Sequence, residues 1–257
     1  MIKMVAKTKL PEFRGKPLIE VPKTIPQADF LQGDFGREVL EEYQGRVKAD
    51  YENLRVLNVL ADSSNLIVGS NPFAVVLINQ VIREEGLRTA TLADLERILK
   101  VGALQLKGTY EDSGLVLRTD GDSYQRNDYL AKDLTYQVKA RGKSKMPVMI
   151  SLTDLDLAKD EKSPYGLAFK LRDDSNIIYA PVLNKETSRF DSKDIDEKTG
   201  LPKKLGKGNR NFYTRQGGLS GLDLNGSLNV VSDWDDLDSS DSGGRVVVVS
   251  DAVAEKI

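Results

Sequence analysis

The sequence predicts an α+β protein, with helices and a small mixed or parallel sheet in its N-terminal half and a β-rich C-terminal half. Two observations support this. Between residues 34 and 152, segments with apolar residues at helical spacing alternate with short apolar runs. Beyond residue 153, short β-favouring runs are separated by clusters of Asp, Ser, Gly and Lys. Because units of strand, helix and strand are usually parallel, we expect a three-layer α/β arrangement over residues 66–152.

The strongest fold signal is a strand that runs directly into a buried helix. Leu66–Val68 is a short apolar run that favours a strand, and Gly69 interrupts it. Ser70, Asn71 and Pro72 then supply capping residues and the proline typical of the first helical position. The following residues are apolar on most sides, so this helix is expected to form a wall of the core.

Three more helices and several strands follow from the same patterns. One amphipathic helix begins at Asp34, a second is capped by Thr91, and a third covers residues 125–141. The unbroken run Val246–Val249 predicts a strand buried on both faces that closes the central sheet. The other expected strands are residues 88–90, 101–107 (a strand or an edge), 114–118, 147–152, 165–171, 177–183, 211–214 and 222–228.

The chain divides into three parts by composition. Residues 1–33 carry prolines at intervals that favour an extended arm, which either wraps a neighbouring subunit in a homo-oligomer or lies on its own domain. Residues 34–152 form the expected α/β core domain. Residues 153–257 form a β-rich part that is either a second domain or a continuation of the same sheet.

Composition removes several classes of function. The chain of 257 residues has no cysteine and no histidine, so thiol nucleophiles, imidazole bases and conventional zinc sites are excluded. Catalysis would depend on Asp, Glu, Lys, Tyr or a hard metal ion held by oxygen. No apolar run is long enough to cross a bilayer, and the N-terminus lacks a signal-peptide core, so we expect no membrane association and a cytoplasmic location.

Two aspartate turns are the candidate metal ligands. Asp120 and Asp122 follow one expected strand, and Asp154 and Asp156 follow the next. If the strands are parallel, both turns lie at the same edge of the sheet, where oxygen ligands can share a Mg²⁺ ion. The alternative is that each Asp-x-Asp sequence is an ordinary capped or solvated turn.

The run from Val148 to Asp156 resembles the aspartate motif of the Toprim nucleases and topoisomerases. The resemblance covers about ten residues and implies Mg²⁺-dependent chemistry on phosphate esters, with Asp154 and Asp156 as ligands. The family also uses a glutamate at the end of an earlier strand. This chain has Gly69 and Ser70 at that place.

Two further segments are candidates for binding anions. The backbone amides of Gly69, Ser70 and Asn71 precede a helix and are suited either to an anion or to simple capping. A basic segment with aromatic residues predicts nucleic-acid binding, or else loops that face water or the acidic stretch around Trp234. The residues of this segment are Lys203, Lys204, Lys207, Arg210, Phe212, Tyr213 and Arg215.

Two hypotheses for function remain open at this point. The first is a non-catalytic binding or assembly protein without a certain cofactor, in which the N-terminal arm contacts another subunit. The second is a Mg²⁺-dependent phosphoryl-transfer or nucleic-acid-processing enzyme with the aspartate turns at its centre. The positions of the four aspartates relative to one another distinguish them.

Overall fold

The computed structural model describes residues 12–13, 16–17, 27–122 and 124–250. It confirms the predicted α+β class with a mixed sheet. Most of the proline-containing arm lies outside the described residues, and so does the subunit contact predicted for it. Within the described ranges, no helix has the length and apolar character needed to cross a membrane.

The described residues contain four α-helices near the predicted places. They are α1 (Gly33–Asp50), α2 (Pro72–Ile82), α3 (Leu92–Val101) and α4 (Asp128–Ala140). Helices α2 and α3 begin at their predicted caps. Asp34, the predicted cap of the first helix, lies inside it, and neither the first nor the fourth helix has a side-chain cap bond. The Asn71 side chain accepts a hydrogen bond from the Ala74 amide at the start of α2. Thr91 and Asp94 form a complete capping box on α3. These local hydrogen bonds explain why the sequence alone located the starts of α2 and α3.

The described part of the chain also contains sixteen strands. They are β1 (Glu12–Phe13), β2 (Lys16–Pro17), β3 (Gln27–Phe30), β4 (Ala61–Ser63), β5 (Leu66–Val68), β6 (Leu87–Thr89), β7 (Glu111–Leu117), β8 (Val148–Ser151), β9 (Leu155–Lys159), β10 (Leu167–Leu171), β11 (Ile177–Tyr179), β12 (Ser188–Phe190), β13 (Arg210–Tyr213), β14 (Leu219–Leu224), β15 (Val230–Val231) and β16 (Val247–Ser250). The expected strand at residues 101–107 is absent, because Gly102 ends α3 in a left-handed conformation and the chain then turns with Leu106 buried.

The main sheet has seven strands in the order β11-β8-β7-β14-β15-β13-β12. All its neighbours are antiparallel except β13 and β15. The expectation of a parallel sheet over residues 66–152 is therefore wrong: β5 pairs antiparallel with β4 and forms antiparallel bridges to Gln32 and Arg245, and β7 pairs antiparallel with β8. Strands from before and after residue 153 join this one sheet.

Strand β16 is buried, as its apolar run predicts, but it does not close the main sheet. It lies between β3 and β6 in a separate three-stranded sheet and pairs antiparallel with both. Strand β3 belongs to the segment that the sequence predicted to be an extended arm. Its pairing with β16 joins the two ends of the described chain, which local sequence patterns cannot reveal.

Two hydrophobic cores lie against the two faces of the main sheet. Leu115 and Leu117 of β7 point into the core that contains α2 and the apolar sides of α1 and α4. Val116 points the other way, into the core that contains α3. Strand alternation therefore decides which side chains face α2, and the candidate site lies on that face.

Candidate functional site

A cavity of about 480 Å³ opens between the start of α2 and the main sheet. Residues from the beginning of β7, the end of β14 and the irregular segment after β15 line it. Five carboxylates face it, and none of its lining residues is Lys or Arg. The five are Asp112, Asp223, Asp233, Asp236 and Asp241.

Asp112 and Asp223 form the floor of this cavity because a bulge aligns them. Asp223 faces Asp112 directly in the antiparallel β7 and β14 pair, and the register shifts between Leu222 and Asp223. Leu115 lies on the same face, so regular alternation would turn Ser113 toward the cavity and Asp112 away from it. The extra residue in the bulge reverses this alternation, so the side chains of Asp112 and Asp223 both face the cavity.

The two floor carboxylates have different surroundings. The Ser70 hydroxyl donates a hydrogen bond of 2.5 Å to Oδ2 of Asp112. The side-chain carboxylate of Asp223 accepts no hydrogen bond from any residue that the structure describes. Burial raises the pKa of Asp112 to about 6, although the Ser70 hydroxyl opposes the shift. Burial, and then the charges of Asp112, Asp233 and Glu111, raise the pKa of Asp223 well above its usual value.

Aromatic side chains form the walls of the cavity. Tyr110, Tyr213 and Trp234 line it, and Trp234 is 52% exposed at the rim. The Tyr110 hydroxyl donates to the Ser70 carbonyl at 3.1 Å and accepts from the Asp241 amide at 3.1 Å. Through these two bonds, the Tyr110 side chain connects the segment after β15 to the start of α2. The walls are therefore held in position by hydrogen bonds from two distant parts of the chain.

The acidic lining does not amount to a metal centre. In the described part of the chain, no group of three or more acidic residues is close enough together to hold a metal ion. The carboxylates are instead distributed from the floor to the rim of the cavity. Such a distribution suits an extended organic ligand better than a single ion.

The aspartate turns predicted from the sequence lie apart from this cavity and from one another. Because β7 and β8 are antiparallel, Asp120 and Asp122 follow one end of this strand pair and Asp154 follows the other. The expectation that the two turns share one edge is therefore wrong. Asp122 forms an ion pair with Arg215, and Asp156 forms one with Arg83. Asp120 is exposed.

Two of the three predicted anion-binding backbone amides, those of Gly69 and Ser70, have partners within the protein. The amide of Gly69 donates to the Gly244 carbonyl, and that of Ser70 donates to the Ser240 hydroxyl. Asn71 caps α2 and also donates to the Val56 carbonyl. Ser70 does not line the cavity, but its hydroxyl group donates a hydrogen bond to the carboxylate of Asp112 at the floor.

The predicted nucleic-acid segment is divided between the interior and the surface. Arg210 is buried against Glu96, Phe212 is fully buried, and Arg215 pairs with Asp122. Tyr213 lines the cavity. The three lysines of this segment remain exposed: Lys203, Lys204 and Lys207. The segment therefore does not present its aromatic and basic groups on one face.

Sequence reasoning missed Asp112 and Asp223. The available signal was a carboxylate within or beside a β-favouring apolar run: Asp223 lies between Leu222 and Leu224, and Asp112 follows Glu111 just before the apolar run that starts at Leu115. A charged residue at such a place is rare without a partner or a function. Their alignment, however, depends on strand pairing and on the bulge.

Comparison with models of protein families, with curated proteins and with solved structures gives no match to this chain.

Proposed function

We propose that this protein binds a small organic cation, with ammonium or guanidinium groups, in the acidic cavity. The observation that carries the proposal is the pair of carboxylates at the floor, Asp112 and Asp223. Only Asp112 receives a hydrogen bond from the described chain. Two carboxylates that face each other on adjacent strands repel each other when both are buried and ionised. A ligand with positive charge reduces this repulsion.

The shape and the walls of the cavity also support a cationic ligand. A volume of about 480 Å³ falls within the range of small-molecule sites. Trp234, Tyr110 and Tyr213 offer aromatic faces, which attract cations through the ring quadrupole. Asp236 already forms an ion pair with Arg126 at 3.7 Å. The other four lining carboxylates form no ion pair within the described chain, and they suit a molecule with more than one positive charge, such as a linear polyamine.

The Mg²⁺-dependent alternative has less support. Its four aspartates lie at opposite ends of the β7 and β8 pair, and Asp122 and Asp156 are already in ion pairs with arginines. The binding hypothesis requires no such convergence.

The proposal is tested by calorimetric titration of spermidine, putrescine and 1,4-butanediol into the protein. Butanediol has the length of putrescine without its charges. We expect spermidine to bind more tightly than putrescine and butanediol not to bind. Asp223→Asn should weaken spermidine binding by about tenfold or more, because one ion contact in a partly dry site is lost.

Asp50→Asn is the matched control, since Asp50 is an exposed carboxylate at the end of α1. This variant should bind spermidine as the native protein does. Equal binding of butanediol and putrescine, or no binding of either amine at millimolar concentration, would overturn the proposal.

A further inference from the structure

A second concave site lies beside the other core, away from the acidic cavity. It is a groove of about 640 Å³ between α3 and the loop of residues 191–209, which connects β12 to β13. The acidic cavity opens on the α2 side of the main sheet, whereas this groove adjoins the core that contains α3. The two sites therefore differ in position, and they also differ in charge.

The carboxylates that line the groove already accept hydrogen bonds or form ion pairs within the protein. Both oxygens of Glu96 accept hydrogen bonds of 2.7 Å from Arg210, and both residues are 8% exposed or less. Glu197 pairs with Lys100 at 3.2 Å. Asp196 accepts hydrogen bonds from the amides of residues 198 and 199 and from a hydroxyl group within its own loop.

Three ammonium groups in the groove have no such partner. Lys107, Lys193 and Lys203 line it, and none of them forms an ion pair or a side-chain hydrogen bond within the described chain, although the charge of Lys203 helps to lower the pKa of Asp196. They come from two separate segments, the turn after α3 and two places in the loop of residues 191–209. Six basic residues line the groove against three acidic ones, so it carries an excess of positive charge even with Asp196 ionised.

Backbone contacts hold these lysines in place. The amide of Lys203 donates to the Asp194 carbonyl, so the two arms of the loop are paired. Gly200 has a left-handed φ of +74°, and a Cβ there would come within 2.6 Å of the Leu92 carbonyl carbon. The loop thus packs directly on the first turn of α3. The amide of Gly108 donates to the Gly226 carbonyl and fixes the turn that carries Lys107.

The groove also has an apolar component. Leu99, Ile195 and Leu228 line it and are partly buried against the core that contains α3. A phosphate group offers three acceptor oxygens and close to two negative charges, which suits several ammonium groups at once. The apolar side chains can cover a flat ring.

We propose that this groove binds a small phosphorylated molecule with a flat apolar part, of the nucleoside monophosphate type. Its phosphate lies among Lys107, Lys193 and Lys203, and its ring lies against the apolar side chains. This site is independent of the organic-cation site. A failure of either proposal leaves the other intact.

The test is calorimetric titration of AMP, inorganic phosphate and adenosine into the full chain. We expect AMP to bind more tightly than phosphate and adenosine not to bind. Replacing all three lysines (K107Q, K193Q and K203Q together) should weaken AMP binding by about tenfold or more, since each exposed ion contact contributes a few-fold. The corresponding arginine variant should retain binding, because the charge is kept.

The control variant replaces three exposed lysines elsewhere, K48Q, K139Q and K143Q, and removes the same charge. It should change AMP affinity less than about twofold, because only screened long-range attraction is lost. An equal loss in this control, or no binding of AMP at millimolar concentration by the native protein, would overturn the proposal. Asp223→Asn should leave AMP binding unchanged, which separates this site from the acidic cavity.

Discussion

Asp112 and Asp223 lie directly opposite each other on β7 and β14, and they face the same cavity. Ser70 donates a hydrogen bond to Asp112, whereas Asp223 receives none from the described residues. Two such carboxylates on adjacent strands disfavour each other's ionisation. This relationship links the stability of the protein, its response to pH and its proposed ligand.

Removal of one floor carboxylate should stabilise the unliganded protein. Asp223→Asn keeps the shape of the side chain, removes a carboxylate without a partner, and provides an amide that can donate to Asp112. We expect the free energy of unfolding to rise by about 1 kcal/mol or more, as measured by urea denaturation at pH 7.5. Asp50→Asn should leave the urea concentration at the midpoint of unfolding unchanged. A lower midpoint for Asp223→Asn would contradict the role given to this carboxylate.

Cation binding should strengthen as pH rises. Burial raises the pKa of Asp112 to about 6, so this carboxyl group is largely protonated at pH 5 and largely ionised at pH 7.5. Only the ionised form attracts a positive charge. We therefore expect the affinity for spermidine to increase between these two pH values, with release of protons on binding.

Titration in buffers with different heats of ionisation measures this release. Proton release at pH 6 should be smaller in Asp223→Asn, which has one titrating group fewer in the cavity. A spermidine affinity that stays constant from pH 5 to pH 7.5 would contradict the expected coupling.

Stability in the absence of ligand should change with pH in the opposite direction. Burial raises the pKa of Asp112 and Asp154 to about 6 and that of Glu111 to about 7, from unfolded values of 3.8 and 4.5. The folded state then binds more protons than the unfolded state between about pH 4 and pH 7. Stability is therefore greater at pH 5 than at pH 7.5.

At lower pH the sign reverses because other carboxylates have depressed values. Burial opposes the shift at Asp94, but hydrogen bonds from Arg88 and Thr91 lower its pKa below 3.8. The stability contributed by Asp94 is lost as pH falls through that lowered value. Thermal unfolding across the pH range should show a maximum near pH 4 to 5, and a maximum near pH 8 would contradict this account.

The buried ion pair between Glu96 and Arg210 should be costly to break. Both side chains are 8% exposed, and two hydrogen bonds of 2.7 Å join them. Glu96→Ala leaves the guanidinium buried without its carboxylate, so we expect a loss of about 3 to 5 kcal/mol in urea denaturation. Glu197→Ala removes the exposed pair with Lys100 and should cost less than about 1 kcal/mol. Similar losses in both variants would contradict the difference in burial.

Gly69 should tolerate no side chain, although the sequence suggested an anion site there. Its φ is +92°, and a Cβ would lie 2.1 Å from the Val59 carbonyl oxygen. Gly86 provides a matched control, since its φ is +70° and a Cβ there meets nothing within 4 Å. Gly86→Ala should cost about 1 to 2 kcal/mol through backbone strain alone. Gly69→Ala should cost clearly more, and equal midpoints in thermal unfolding would contradict the close approach.

The sequence by itself determined the four helices and most of the strand positions. Capping residues such as Asn71 and Thr91, and apolar periodicity, act within a few residues of chain, so their effect can be read directly. The α+β class followed from the order of these segments. The absence of cysteine and histidine from the sequence also excludes thiol and imidazole chemistry.

Only the tertiary structure decided which strands pair and in which direction. Pairing joins residues far apart in the chain, such as β3 with β16 and β7 with β14, and no local pattern encodes it. The antiparallel pairing of β7 and β8 separated the aspartate turns. The bulge at Ser113 turned the side chain of Asp112 toward Asp223. Two carboxylates that lie 111 residues apart in the chain therefore meet at the floor of one acidic cavity.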